Sequence, residues 1–136
     1  MQAKEFIAID GDDVGPQLRT LIVHNDVEGA SKLSKSLVEF FNSLRFYLER
    51  QGCTIVFCGG DSVLASNYHS NLDVWFDSLL PGPCTISIGI GPTPEYAYLA
   101  LQSAKARGKN RVVRVRNKMA QTIHKWSGAK KQAGTN

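Results

Sequence analysis

Thr54-Ile55-Val56-Phe57-Cys58-Gly59-Gly60-Asp61-Ser62-Val63-Leu64-Ala65 is two apolar runs joined by a turn of glycine and aspartate. β-Branched and aromatic residues favour a pleated, half-buried strand, and Gly-Gly-Asp suits a tight hairpin, because glycine enters positive φ without strain and leaves space for a ligand beside the backbone. Upstream, Lys4-Glu5-Phe6-Ile7-Ala8-Ile9-Asp10 reads as a second buried strand with a carboxylate at its C-terminal edge. Laid beside the hairpin, that strand brings Asp10 and Asp61 together at one end of a sheet. Hard cations such as Mg²⁺ take a few carboxylates, a backbone carbonyl and substrate phosphate oxygens. Gly59-Gly60-Asp61 alone is more often an ordinary hairpin turn, since glycine and aspartate dominate turns. Asp10 is the residue that shifts the reading toward a metal-dependent, nucleotide-handling site.

Outward from the hairpin, apolar residues at Ala30, Leu33, Leu37, Phe40, Phe41, Leu44 and Leu48 recur at helical spacing after a cap at Asn25 or Asp26, and Gly52 ends the helix. A shorter helix is predicted from His69 to Leu80, stopped by Pro81-Gly82-Pro83. Cys84 to Ile90 is a third strand pattern, Thr93-Pro94 opens a helix that Gly108 terminates, and Arg111 to Val115 is the last strand. The order β-α-β-β-α-β-α-β is a mixed α/β (α+β) class, and its first six elements have the ferredoxin-like split βαβ arrangement, predicting a sheet with helices packed on one face.

With 136 residues, 43% of them apolar, the chain suits one compact domain, residues 1–116, followed by a basic, flexible tail, residues 117–136. Met119, Ile123 and Trp126 are spaced for one short docking helix, and disorder is expected from about Ser127 onward. The net charge of +4 is concentrated between Lys105 and Lys118, which favours anionic ligands there. Aromatic residues are scarce in the tail, so its lysines read as a solvated terminus and no stable nucleic-acid partner is expected. Cys53, Cys58 and Cys84 have no zinc-like spacing and read as buried free thiols of a reducing compartment. His24, His69 and His124 share no metal-binding spacing and read as surface or helix-end residues. No apolar window reaches the roughly 18 residues of a membrane span, and no secretory leader is visible, so a cytoplasmic protein without membrane association is expected.

Four segments in order carry a resemblance: Ile7-Ala8-Ile9-Asp10-Gly11-Asp12-Asp13-Val14-Gly15, Gly59-Gly60-Asp61-Ser62-Val63-Leu64, Ser87-Ile88-Gly89-Ile90-Gly91, and Ser103-Ala104-Lys105-Ala106-Arg107-Gly108-Lys109-Asn110-Arg111-Val112. Across residues 4–115 the chain resembles the palm domains of GGDEF diguanylate cyclases and of CRISPR polymerases, and in its first motif and length it is most similar to the minimal CRISPR polymerases. That resemblance implies a nucleotidyltransferase that makes a cyclic di- or oligonucleotide messenger from ATP, with other nucleoside triphosphates open beside it, and releases pyrophosphate in antiviral signalling.

The resemblance assigns roles residue by residue. Asp10 and Asp61 match the catalytic, metal-binding acids, with the Gly11 carbonyl as a third ligand for Mg²⁺ or Mn²⁺. Asp12, Asp13, Val14 and Gly15 match the segment whose backbone N–H groups hold triphosphate, while Gly59, Gly60 and Ser62 border the nucleotide. Lys105 matches the phosphate-binding helix lysine, and Lys109 assists it. Because one palm holds one triphosphate, a homodimer with facing sites is implied, with residues 15–26 a candidate interface, and a separate receptor would read the product. Ser62 stands where these families carry an acid, a departure for which Asp12 or Asp13 is available to compensate. A nucleotide-binding sensor without turnover, and a palm-type GTP cyclohydrolase, remain open alternatives.

Overall fold

The computed structural model describes residues 4–79 and 81–127. Its elements are β1 (Glu5–Gly11), α1 (Val14–Val23), α2 (Val27–Arg50), β2 (Thr54–Gly59), β3 (Ser62–Tyr68), a 3₁₀ segment (Ser70–Ser78), β4 (Ile86–Gly91), α3 (Pro94–Ala106), β5 (Arg111–Arg116) and β6 (Met119–Lys125). They form a sheet of order β2-β3-β1-β4-β5-β6. The first four strands run antiparallel to their neighbours in the ferredoxin-like order. β5 joins parallel to β4 by the α3 crossover, and β6 returns antiparallel to β5.

Strand alternation decides which helix each face receives. Ile7, Ile9, Ile86, Ile88 and Ile90 point into the main core with Leu37, Phe41, Leu44 and Leu48 of α2 and Leu72, Trp75 and Phe76 of the 3₁₀ segment. Ala8, between two of those isoleucines, faces Ala97 and Leu101 of α3 instead. Gly89 and Gly91 also face α3: a Cβ on Gly89 would lie 2.2 Å from the Leu101 nitrogen, so the helix backbone rests almost directly on the strand. The expectation of helices on one face is therefore corrected. It holds for α2 and the 3₁₀ segment, but α3 covers the opposite face, because the Ile-Gly alternation of β4 offers an apolar surface on one side and a close backbone approach on the other.

α2 begins as its sequence indicates, with the Asp26 side chain accepting from Gly29 N–H at 2.8 Å. Past its end Gly52 has a φ of 91°, the left-handed conformation common after helices. The shorter predicted helix is a 3₁₀ segment. Leu72 and Trp75, three residues apart, eclipse in that tighter winding, and the Trp75 indole donates to the Tyr68 hydroxyl at 3.0 Å while stacking on Tyr47.

Two elements lie outside the expected order. α1 carries apolar residues at helical spacing, Val14, Leu18 and Leu21, but it is short, none of them is fully buried, and Gly15-Pro16 in its first turn reads as loop. β6 replaces the first part of the expected tail and its docking helix, which corrects the boundary at residue 116. Asn117 and Lys118 have φ of 52° and 63°, the two positive values of a type I′ turn, and so fold 119–125 back onto β5 as a hairpin. Trp126 is buried, with its indole N–H donating to the Phe76 carbonyl at 2.8 Å. His124 is a packed strand residue against Phe76 and Trp126, not a surface or helix-end one. The expected disorder from about Ser127 onward falls beyond the described residues. Cys53 and Cys84 are buried and Cys58 half-buried, all as free thiols. Among the described residues no helix is long and apolar enough to cross a membrane.

Candidate functional site

β1 ends between two partners. Asp10 pairs with Ser62 on one side and Ser87 on the other. Beyond it the Gly11 N–H donates to the Asp61 carbonyl and the Asp12 N–H to the Thr85 carbonyl, both at 2.9 Å. The hairpin turn is thereby pinned against the strand end, and Asp61 stands beside Asp10. A Cβ on Gly11 would fall 2.8 Å from Val14 Cγ2 and 3.1 Å from Asp61 Oδ2, so glycine is required for this approach. Gly60 takes the positive φ the turn needs, at 58°, and nothing lies within 4 Å of where a Cβ would stand on Gly59 or Gly60. Desolvation, then the negative charge of Asp10, push the Asp61 carboxyl above the usual aspartate range, with Lys105 opposing.

Lys105 reaches in from α3. Its ammonium donates to the Gly11 carbonyl at 2.9 Å, to Asp12 Oδ1 at 2.9 Å, and lies 3.1 Å from Asp10 Oδ2. Burial alone would lower this lysine, but the hydrogen bonds and charges of Asp12 and Asp10 outweigh it and hold the ammonium above the ordinary lysine value. The cation therefore persists throughout the neutral range.

Asp12 departs from its expected place in a triphosphate loop. At 1% exposure it is turned inward, accepting from the Thr85 and Ser87 hydroxyls at 2.7 Å each and from the Asn110 N–H at 3.0 Å, besides Lys105. Its carboxylate oxygens, and through the Thr85 carbonyl its backbone N–H, are engaged within the protein. Thr85, Ser87 and Asn110 are the residues that sequence reasoning missed. Asn110 had a visible signal in Gly108-Lys109-Asn110, which all take positive φ, at 121°, 64° and 55°. Such a run is strained for side-chain-bearing residues and holds only where contacts fix it.

The remaining residues of the first motif lie at the start of α1. Asp13, at φ 57°, opens α1 without a side-chain cap and pairs instead with Lys109. No acidic residue lies in the first turn of α1, whose positive end is at Val14 and Gly15. The Arg19 guanidinium, also missed from sequence, lies 3.4 Å from where a Gly15 Cβ would stand. Ser62 donates its hydroxyl to Asp10 Oδ1 at 2.6 Å. The residue in the place of an acid thus orients the neighbouring carboxylate, leaving Oδ2 toward Lys105.

No cluster of three acid, histidine or cysteine side chains able to hold a metal occurs among the described residues. Asp10, Asp61 and the Gly11 carbonyl have the oxygen chemistry that a hard dication takes, but the Gly11 carbonyl and Asp10 Oδ2 face the Lys105 ammonium, which a dication here would have to displace. The like-charge pressure on Asp61 and the open space beside Gly59 and Gly60 agree with that oxygen chemistry.

No curated protein matches the chain. A family model described as the minimal CRISPR polymerase domain matches residues 6–115, from the second residue of β1 to within one residue of the end of β5. The match brings with it a polymerase- or nucleotidyltransferase-like enzyme class. With carboxylates, lysine and glycine turn all falling inside the matched span, the chain belongs to the minimal CRISPR polymerase family.

Proposed function

We propose that this protein joins nucleoside triphosphates, ATP first among them, into a cyclic di- or oligonucleotide with release of pyrophosphate. The observation that carries the reading is the convergence of Asp10 and Asp61 over Gly11 with the Lys105 ammonium beside them. Asp10, Asp61 and the Gly11 carbonyl hold Mg²⁺ or Mn²⁺, which when bound supplies Lewis-acid stabilisation of the α-phosphate and of the attacking oxygen. The α1 end at Val14 and Gly15, with Lys109 and Arg19, receives the triphosphate. Lys105 neutralises charge that grows on the phosphate side. A ribose hydroxyl forms the new O–P bond to the α-phosphorus, its proton passes to solvent, and the bond from the α-phosphorus to the bridging oxygen breaks, with its electron pair leaving on pyrophosphate. No covalent nucleophile is needed, since positioning and electrostatics supply the acceleration.

One site presents one triphosphate, so ring closure calls for a symmetric dimer with facing sites. Exposed Ile22, Val23 and Val27 at the α1–α2 junction support the interface expected in 15–26. A cytoplasmic setting and a separate receptor that reads the product in antiviral signalling complete this reading.

Mass spectrometry after incubation with the four nucleoside triphosphates and Mg²⁺ or Mn²⁺, beside Asp61→Asn, tests it. A cyclic product absent from the variant is expected. Ser62 favours one competing reading, because it leaves only two carboxylates at the turn: unchanged triphosphate together with a nucleotide-dependent thermal shift would make the protein a sensor. A product altered in the base of GTP would make it a cyclohydrolase.

A further inference from the structure

We propose that Lys105 and a dication compete for the same oxygens of this centre, so that metal and triphosphate are taken up as a coupled pair rather than one by one. The inference rests on the nucleotide reading above and adds how its two ligands depend on each other. The Lys105 ammonium lies 2.9 Å from the Gly11 carbonyl and 3.1 Å from Asp10 Oδ2. Mg²⁺ bonds such oxygens at about 2.0–2.1 Å. An ammonium donating into the same lone pairs opposes that approach by occupancy and by like charge.

The third partner of the ammonium differs in kind. Asp12 receives it at 2.9 Å, but the oxygens of Asp12 are also engaged by the Thr85 and Ser87 hydroxyls and the Asn110 N–H. Lys105 is thus moored on one side to a carboxylate committed to the fold, and on the other to two groups that a metal needs. The helix that bears it cannot carry it away, because Ala100 and Ala104 are fully buried and the α3 backbone lies against Gly89 and Gly91. Release falls to the side chain, 21% exposed, whose four-carbon stem is flexible and whose donors rotate.

Release costs the ammonium two acceptors unless others replace them. Asp12 is two residues before Val14, the first residue of α1, and Lys109 pairs there with Asp13. The helix end that the reading above gives to triphosphate is therefore next to the Lys105 mooring. Polyphosphate oxygens supply charge-assisted acceptors, and a free dication supplies none. Triphosphate that draws Lys105 off Gly11 and Asp10 raises the affinity for metal, and by linkage metal raises the affinity for triphosphate by the same factor.

The test titrates the full chain with Mn²⁺ alone, counting the free ion by electron paramagnetic resonance, in wild type, Lys105→Met and Lys109→Met, each shown to be folded by its thermal transition. Lys105→Met is expected to bind Mn²⁺ about tenfold more tightly than wild type or better, and Lys109→Met, which removes an equal charge nearby without freeing Gly11 or Asp10, to stay within about twofold. Adding Asp61→Asn to Lys105→Met is expected to abolish the binding; its retention would put the ion elsewhere and overturn the inference. A second readout needs no variant: acylation of wild type by an amine reagent, followed at Lys105 by peptide mass spectrometry with the exposed Lys35 as standard. Labelling of Lys105 is expected to be slow in the protein alone, to rise with saturating Mg²⁺, and to fall again when tripolyphosphate is added. Equal Mn²⁺ affinity in wild type and Lys105→Met, an equal gain in Lys109→Met, or labelling that Mg²⁺ leaves unchanged overturns the competition and leaves the metal reading standing. Labelling that stays high in tripolyphosphate overturns the coupling to phosphate. Mn²⁺ binding by none of the proteins overturns the metal reading and this inference with it. Neither readout uses turnover, so the expected affinities in a protein that makes no cyclic product support the competition and overturn the enzyme reading alone.

Discussion

Asp61 has a charge that folding disfavours. Its carboxyl is held above the ordinary aspartate value by desolvation and by Asp10. Well below that ordinary value the folded and unfolded chains are both protonated and the group contributes nothing. As pH rises through the window between the ordinary and the raised value, the unfolded chain ionises first, and folded stability falls. Above the window the charged group remains a net cost. Asp61→Asn keeps the shape without the charge, so its Tm at neutral pH is expected to rise on the order of 2 °C over wild type, while product is lost. Added Mg²⁺ is expected to raise the wild-type Tm and leave the variant's in place, which differential scanning fluorimetry reads without any turnover. Lys105→Ala goes the other way. It strips the buried Asp12 and half-buried Asp10 of a shared cation, and a loss of about 2 kcal/mol in urea unfolding is expected together with lower turnover. Lysine at this position therefore has a structural role, which a phosphate contact read from the motif alone does not contain. The approach of Asp10 to Asp61 was legible because a carboxylate at the end of the first apolar run and one in the hairpin turn meet when that strand pairs with the hairpin. The inward turn of Asp12 was not, since its partners Thr85, Ser87 and Asn110 are distant in sequence and are united only by the sheet.

At the scale of elements, legibility followed burial. α2 buries Leu37, Phe41, Leu44 and Leu48 at helical spacing, and its cap and periodicity agree. β1 and the β2–β3 hairpin declare themselves by composition and turn chemistry. α1 only half-buries Val14, Leu18 and Leu21, and Gly15-Pro16 in its first turn reads as loop, although proline is tolerated where the helix N–H groups are unpaired anyway. The glycines of β4 were visible as letters of a motif, but their reason needed α3 in place. Gly89→Ala forces a methyl to 2.2 Å from the Leu101 nitrogen and 2.3 Å from the Ala97 carbonyl oxygen. Backbone on both sides has no rotamer by which to yield, so a loss of roughly 3 kcal/mol or more is expected on denaturant unfolding. Because α3 also delivers Lys105, the variant that does fold is expected to lose turnover along with stability. A Gly89→Ala protein as stable as wild type would show that α3 does not rest on β4 as described.

Over the whole molecule, the last strand braces the site from behind. Trp126 donates its backbone N–H to the Asn110 carbonyl at 3.2 Å, and accepts from the Asn110 side chain at 2.9 Å, while the Asn110 N–H donates to Asp12. Asp12 in turn holds Lys105, so a continuous run of hydrogen bonds joins the end of β6 to the carboxylate centre. The reading of 117–126 as the start of a tail with a docking helix failed for a local reason: Asn117-Lys118 lacks the glycine that usually marks a type I′ turn, and Met119, Ile123 and Trp126 imitate helical spacing. A chain ending at Arg116 loses the burial of Trp126, worth about 3–5 kcal/mol for a large aromatic, and uncovers the ladder edge of β5. Its Tm is expected to fall by on the order of 10 °C, with turnover lowered further because Asn110 no longer holds its strained turn. A chain ending at Ser127 keeps β6 and Trp126 and is expected to melt with the full-length protein. Thermal unfolding of the two truncations side by side decides it: equal Tm values would return β6 to the role of a dispensable tail, and a fall confined to the shorter chain would make it the sixth strand of the fold and a support of its site.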